Sequence, residues 1–153
     1  MTFTSSNSTN MKKLLSLIIA ISAITVVNGQ DIAQSEVPSV ILNNFKLNFE
    51  KATDVDWEIK GEEYKVEFEI NHEDHDVWFD KKGNVLKHKQ DLSLSNLPTN
   101  IKQKIETDFK SYKIDDIDKI EIAGKTTFEV ELESNAGDKV VVFSSDGKVE
   151  NQK

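Results

Sequence analysis

Apolar positions along this chain fall into two runs that share one pattern. Pro38, Ile41, Phe45 and Phe49 are answered 60 positions later by Pro98, Ile101, Ile105 and Phe109. Tyr64, Val66, Phe68, Val77, Phe79, Gly83 and Val85 are answered 64 positions later by Phe128, Val130, Leu132, Val141, Phe143, Gly147 and Val149. The match runs through a helical period, two alternating stretches and a turn glycine in one order, which identifies two copies of one structural unit. In each unit the first segment repeats every four residues, placing one apolar stripe on an amphipathic helix. Asn43, Lys46 and Asn48, or Lys102, Lys104 and Asp108, turn outward. Pro38 and Pro98 sit one step inside the helix start, with Ser35 and Ser95 or Asn96 as capping candidates.

Beyond the helix the period falls to two. Val55, Trp57 and Ile59 alternate with charged residues, as do Tyr64, Val66, Phe68 and Ile70, so both stretches predict half-buried antiparallel strands. A third strand, 76–80, meets a fourth, 84–88, across a hairpin in which Gly83 supplies a positive φ. Residues 140–144, Asp146-Gly147 and Lys148 onward repeat this arrangement. The predicted fold class is α+β, with two tandem units, each one helix packed on a four-stranded antiparallel sheet whose other face is wet. Residues 89–96 form the expected linker, which gives unit boundaries of 30–92 and 93–153.

The N-terminus stands apart from this pattern. Lys12 and Lys13 precede an apolar run from Leu14 to Val27, and Val27-Asn28-Gly29 offers a cleavage site. Residues 1–29 are therefore expected to be a signal peptide, beginning at Met1 or Met11 and leaving Gln30 first. A retained membrane anchor is the competing reading of the same run. Without cysteine, neither a lipobox nor a disulfide framework is available, and an exported fold has to rest on its core. Loss of Lys12 and Lys13 leaves 17 basic against 27 acidic residues, a net charge of −10. That charge excludes nucleic acid as the expected partner. Every basic residue is lysine, so no guanidinium is present to clamp phosphate or carboxylate.

As an ensemble, these segments resemble a known family. Val37-Pro38, the helix, Val55-Asp56-Trp57, Tyr64-x-Val-x-Phe68, Val77-Trp-Phe-Asp-x-x-Gly83, then Leu97-Pro98 and the same order with Phe128-Glu-Val-Glu-Leu132 and Asp146-Gly-Lys-Val149 are similar to PepSY-like, beta-lactamase-inhibitor-like proteins. The resemblance covers essentially the whole chain after the signal. It implies an exported, non-enzymatic binding or inhibitory module with a beta-lactamase-inhibitory-protein-like fold. No inhibitory loop can be matched residue by residue, and the disulfides of the true inhibitory protein are missing, so beta-lactamase itself is not the expected target.

Chemistry is sparse by comparison. His72-Glu73-Asp74-His75-Asp76 combines two imidazoles with three carboxylates, and His72, Asp74 and His75 are the metal candidates. A solvated hairpin tip gives the same composition, and the corresponding Asn135-Ala136-Gly137-Asp138 has lost both histidines. No nucleophile elbow, phosphate loop or dinucleotide fingerprint occurs, and the carboxylates alternate outward, so no catalytic residue and no cofactor is expected. The outward faces say more. Lys65, Glu67 and Glu69, with Thr127, Glu129, Glu131 and Glu133, give an acidic open sheet, and inward Val77 and Phe79 send Trp78 outward. Trp78, Glu67, Glu69, Glu129 and Glu131 are accordingly the expected partner-binding residues, with packing of Trp78 on a lysine stem or the neighbouring unit as the alternative. The expected partner is an envelope or secreted protein, for example a peptidase or another envelope enzyme. The chain is expected to be a monomer, free of the membrane after cleavage and periplasmic or secreted. The alternative function is divalent-cation binding or a structural role in the envelope.

Overall fold

A computed structural model describes residues 29–153. The segment read as a signal peptide lies outside the described residues except for Gly29. Strand β1 (Gln30–Ile32) leads into helix α1 (Ser39–Asn48) and then β2 (Thr53–Lys60), β3 (Glu63–Ile70), β4 (Glu73–Phe79) and β5 (Val85–Asp91). Helix α2 (Thr99–Asp108) follows, with β6 (Lys113–Ile122), β7 (Lys125–Glu133), β8 (Lys139–Ser144) and β9 (Val149–Gln152). All nine strands join one antiparallel sheet in chain order.

The apolar stripes predicted from the sequence make the core. Val37, Ile41 and Phe45 pack with Trp57, Val66, Phe68, Val77 and Phe79 in one buried cluster. Leu97, Ile101 and Ile105 pack with Ile117, Phe128, Val130, Leu132, Val141 and Phe143 in a second. Strands β3, β4, β7 and β8 contribute alternate residues to these clusters, so both helices lie on the same side of the sheet and the opposite face carries the polar phase. The first cluster is fastened by edge-on aromatic contacts, with the Phe45 ring 5.3 Å from Trp57 and 5.1 Å from Phe68.

Several boundaries differ from the sequence expectation. The two sets of four strands are not separate sheets, because β5 pairs with β6 from Lys87–Ile122 to Asp91–Asp118. The strand β5 thus runs into the start of the expected linker and ends at Asp91, since pairing with β6 satisfies a backbone that would otherwise face water. The helices begin one residue later than expected, with Pro38 and Pro98 as N-caps and no side-chain cap. Ser35, Ser95 and Asn96 sit in short 3-10 turns before those prolines instead. Pro38 and Pro98 have φ of −54° and −55° with ψ of 138°, extended geometry that halts the 3-10 turn and starts the helix. The short β1 on the edge of β2 was not anticipated.

Local turns behave as their residues demand. Gly83 has φ +87° and Gly147 has φ +84° in the matching hairpins. Gly83 also lets its turn approach α1: Asn44 Nδ2 donates to Gly83 O at 2.5 Å, and an added Cβ would meet Val40 O at 3.2 Å.

Candidate functional site

The polar face of the sheet is uncovered among the described residues, and its charges are organised rather than merely solvated. Trp78 stands on this face as its outward phase requires, half-buried between the side chains of its two cross-strand partners, Lys65 on β3 and Lys87 on β5. The two ammonium groups lie 5.3 and 4.5 Å from the indole centroid, within cation–π range. Lys65 is only 8 % exposed despite pointing away from the core. It bonds Glu67, and its Nζ is 3.1 Å from Asp76. Burial opposes its charge, but the hydrogen bonds and charges of Glu67 and Asp76 outweigh that and hold its pKa above the ordinary value.

Beside Trp78 the face sinks into a cleft of about 410 Å³ lined by Asp54, Asp56, Glu67, Glu69, Asp74, Asp76 and Asp91, together with Lys89, Phe68 and His75. At its β5–β6 wall Asp91 stands opposite Asp118. Lys89 Nζ is 2.9 Å from Asp118 Oδ2 and 3.7 Å from Asp91 Oδ1. Burial and a hydrogen bond with Asp118 push the Asp91 carboxyl up to about 6, against the pull of Lys89. Asp118 was missed by sequence reasoning because its neighbour across the strands, Asp91, fell in the supposed linker; pairing between distant strands left no local signal.

The predicted partner-binding residues are spread across the sheet. Glu67 and Glu69 line the cleft on β3, whereas Glu129 and Glu131 lie two strands beyond β5, on β7. Glu131 lines a separate depression of about 280 Å³ with Asp115, Leu132, Val140 and Lys153. Trp78 and the four glutamates therefore share a face without converging on one point. The histidine-rich segment is mostly strand rather than hairpin tip. Asn71 and His72, with φ of 55° and 66°, form the two-residue turn, and β4 begins at Glu73. Alternation then sends Asp74 to the open face and buries His75 on the helix side, while the His72 side chain is 99 % exposed. Among the described residues no group of three His, Cys, Asp or Glu side chains is arranged to hold a metal ion.

On the helix side, a polar seam separates the two apolar clusters. His75 stacks on Phe68 with ring centroids 5.1 Å apart and meets His88 across the strands. His88 Nδ1 is 3.3 Å from Glu121 Oε2. Gln90 and Asn96 donate to the two oxygens of Glu73, each at 2.9 Å. Burial lowers the pKa of both imidazoles, and at His75 the neighbouring His88 adds to the effect. Neutral His88 therefore donates from Nδ1 to Glu121 and accepts at Nε2 from His75 Nδ1–H.

This arrangement, two helices on one side of a single antiparallel sheet and a charged, uncovered surface on the other, defines an α+β sheet protein whose accessible feature is a face rather than an enclosed pocket. The sequence profile described as "Putative beta-lactamase-inhibitor-like, PepSY-like" matches residues 24–87 and 62–151, two overlapping stretches, and the chain belongs to that family. No curated protein matches the chain. Among solved structures, a BLIP-like protein from Bacteroides fragilis NCTC 9343 is similar at 27 % identity and a TM-score of 0.66, over 76 % of this chain and 84 % of its own. A DUF2874 family protein from Bacteroides uniformis ATCC 8492 shares the fold at 16 % identity and a TM-score of 0.68, over 76 % and 88 % of the two chains. A Bacteroides eggerthii DSM 20697 protein described as a "putative periplasmic" protein does so with the same identity, TM-score and coverage. Among the described residues no helix is long and apolar enough to cross a membrane.

Proposed function

We propose that this protein is an exported, non-enzymatic binding or inhibitory module that engages a protein partner, such as a peptidase or another envelope enzyme, through the open face of its sheet. The observation that carries this reading is Trp78: a large amphipathic ring held half-exposed between Lys65 and Lys87, beside an acidic cleft, on a face that no element covers among the described residues. Aromatic residues pre-positioned by packing lose little entropy on binding and are frequent anchors at interfaces. Family membership and the BLIP-like relative favour a binding role over catalysis. Glu67, Glu69, Glu129 and Glu131 supply the acidic surround. The test is site-specific photocrosslinking in the cell envelope. Probes at Trp78 and Glu129 should give a protein adduct that probes at Lys46 and Lys104 on the helices do not. Adducts from the helix positions alone overturn the assignment.

The chain is further proposed to be two copies of one helix-plus-four-strand unit, 30–92 and 93–153, following a signal peptide over residues 1–29. Support comes from the equivalent clusters and hairpin glycines of the two parts. Because β5 and β6 share five register pairs, each unit alone exposes a long strand edge and lacks its seam. The separate halves should be unfolded or molten. A cooperative melt from either half refutes their mutual dependence. Divalent-cation binding, the second reading, draws on the seven carboxylates of the cleft, and titration calorimetry with calcium and zinc decides it.

A further inference from the structure

Five carboxylates form a row across the open face, at right angles to the strands. Glu69 stands opposite Asp74, Asp91 opposite Asp118, and Asp118 opposite Glu129. The β4–β5 register, which sets His75 opposite Gln90, brings Asp74 beside Asp91 and closes the series. Like charges on directly paired positions destabilise a sheet, so folding alone gives no reason to assemble five of them. Compensation within the row is partial. Lys89 reaches Asp91 and Asp118 from the adjacent row. Asp74 and Glu129 make no ion pair among the described residues.

Asp118 supplies a second and independent observation. It is 7 % exposed, and Lys89 occupies only its Oδ2; Oδ1 is buried without a hydrogen-bond partner among the described residues. A buried carboxylate oxygen without a donor costs stability unless something that binds there supplies one. The neighbouring Asp91 can serve as that donor only while protonated, and its carboxyl is held up to about 6. At higher pH the two facing carboxylates share the single Lys89 ammonium, which reaches Asp118 through Oδ2 and leaves Oδ1 in need of a further cationic donor. A point-like ion is a poor match, since no three ligating side chains converge among the described residues. The row is instead elongated: five strands at the usual spacing of about 4.8 Å span roughly 19 Å, the reach of a peptide segment.

We propose that the row Glu69–Asp74–Asp91–Asp118–Glu129 is the track on which a basic segment of the partner protein docks, with an arginine or lysine of that segment placed between Asp91 and Asp118. The inference rests on the open-face reading above and adds the chemistry of what binds there. Arginine fits best, because its forked donors can bond both carboxylates of the facing pair.

The experiment titrates the exported protein with an acetylated, amidated Arg-Gly-Arg-Gly-Arg peptide at physiological salt and follows backbone amide shifts. The largest changes are expected at residues 69, 74, 91, 118 and 129. The double variant Asp74→Asn/Glu129→Gln should weaken binding by roughly 10-fold. Glu50→Gln/Glu106→Gln, which removes the same charge from the helix side, should leave affinity within about 2-fold, since distant exposed charges are screened. Equal weakening by the two doubles overturns the proposal, because net charge alone would then attract the peptide. So does a peptide that fails to bind while calcium saturates the row, which would make it an ion site. If Trp78 crosslinks persist undiminished in Asp74→Asn/Glu129→Gln, the basic-segment inference fails and the open-face reading stands; if wild-type Trp78 gives no adduct either, both fail.

Discussion

His75 Nδ1 lies 2.9 Å from His88 Nε2, with the rings stacked at a centroid separation of 5.2 Å, where the two apolar clusters meet. The site cannot hold both imidazoles protonated, since that would oppose two cations at hydrogen-bond distance. Burial keeps each folded-state pKa below the ordinary 6.5. The unfolded chain therefore binds more protons than the folded one as pH falls through 6.5, and stability is lost in that window. Urea midpoints measured at pH 7 and 5 should fall for the wild type and change less for His88→Gln. An unchanged pH slope in the variant would remove the pair from this role.

Asp91 works in the opposite direction. Its folded-state value of about 6 lies above the ordinary 3.8, so the folded chain binds the extra proton and Asp91 adds stability as pH falls from 6 toward 4. Asp91→Asn should abolish this acid-side gain and make the wild-type decline driven by the histidines steeper. The comparison of urea midpoints at pH 6 and pH 4 checks the sign, and a shallower decline in Asp91→Asn contradicts it.

Phe68 and Trp78 share the β3–β4 hairpin but serve different faces. Phe68 is 3 % exposed and packs on Phe45, Phe49 and His75. Phe68→Ala should cost about 3–5 kcal/mol, most of the stability of a domain this size. Trp78→Ala removes two lysine contacts on the open face and should cost about 1 kcal/mol while weakening partner capture. Paired thermal melts separate the two, and equal losses would place Trp78 in the core.

Gly83 and Gly61 both have positive φ, +87° and +64°, yet their surroundings differ. A Cβ at Gly61 meets nothing within 4 Å, whereas one at Gly83 meets Val40 Cγ2 and O, each at 3.2 Å. Gly61→Ala should cost about 1 kcal/mol from backbone strain alone. Gly83→Ala should cost more, because it also pushes the hairpin off α1 and strains the Asn44 bond. Denaturant melts giving equal losses would show that the turn yields freely.

The sequence by itself determined the two helices and the main alternating strands, though not the short β1, and which side of each is buried. Apolar spacing of four put Ile41 and Phe45, or Ile101 and Ile105, inward, and alternation did the same for Val66, Phe68, Val130 and Leu132, because side-chain direction follows from backbone period alone. It likewise put Trp78 on the outer face and Gly83 in a turn. Only the tertiary structure decided what joins the strands that follow α1 to those that follow α2. The pairing of β5 with β6, the Asp91–Asp118 contact and the His75–His88 bond join residues from separate strands, and their register depends on bulges and on the alignment of whole strands. Local periodicity carries no information about such alignment, so a pair of aspartates 27 residues apart and a lysine buried on an open face became visible only when the strands were laid side by side.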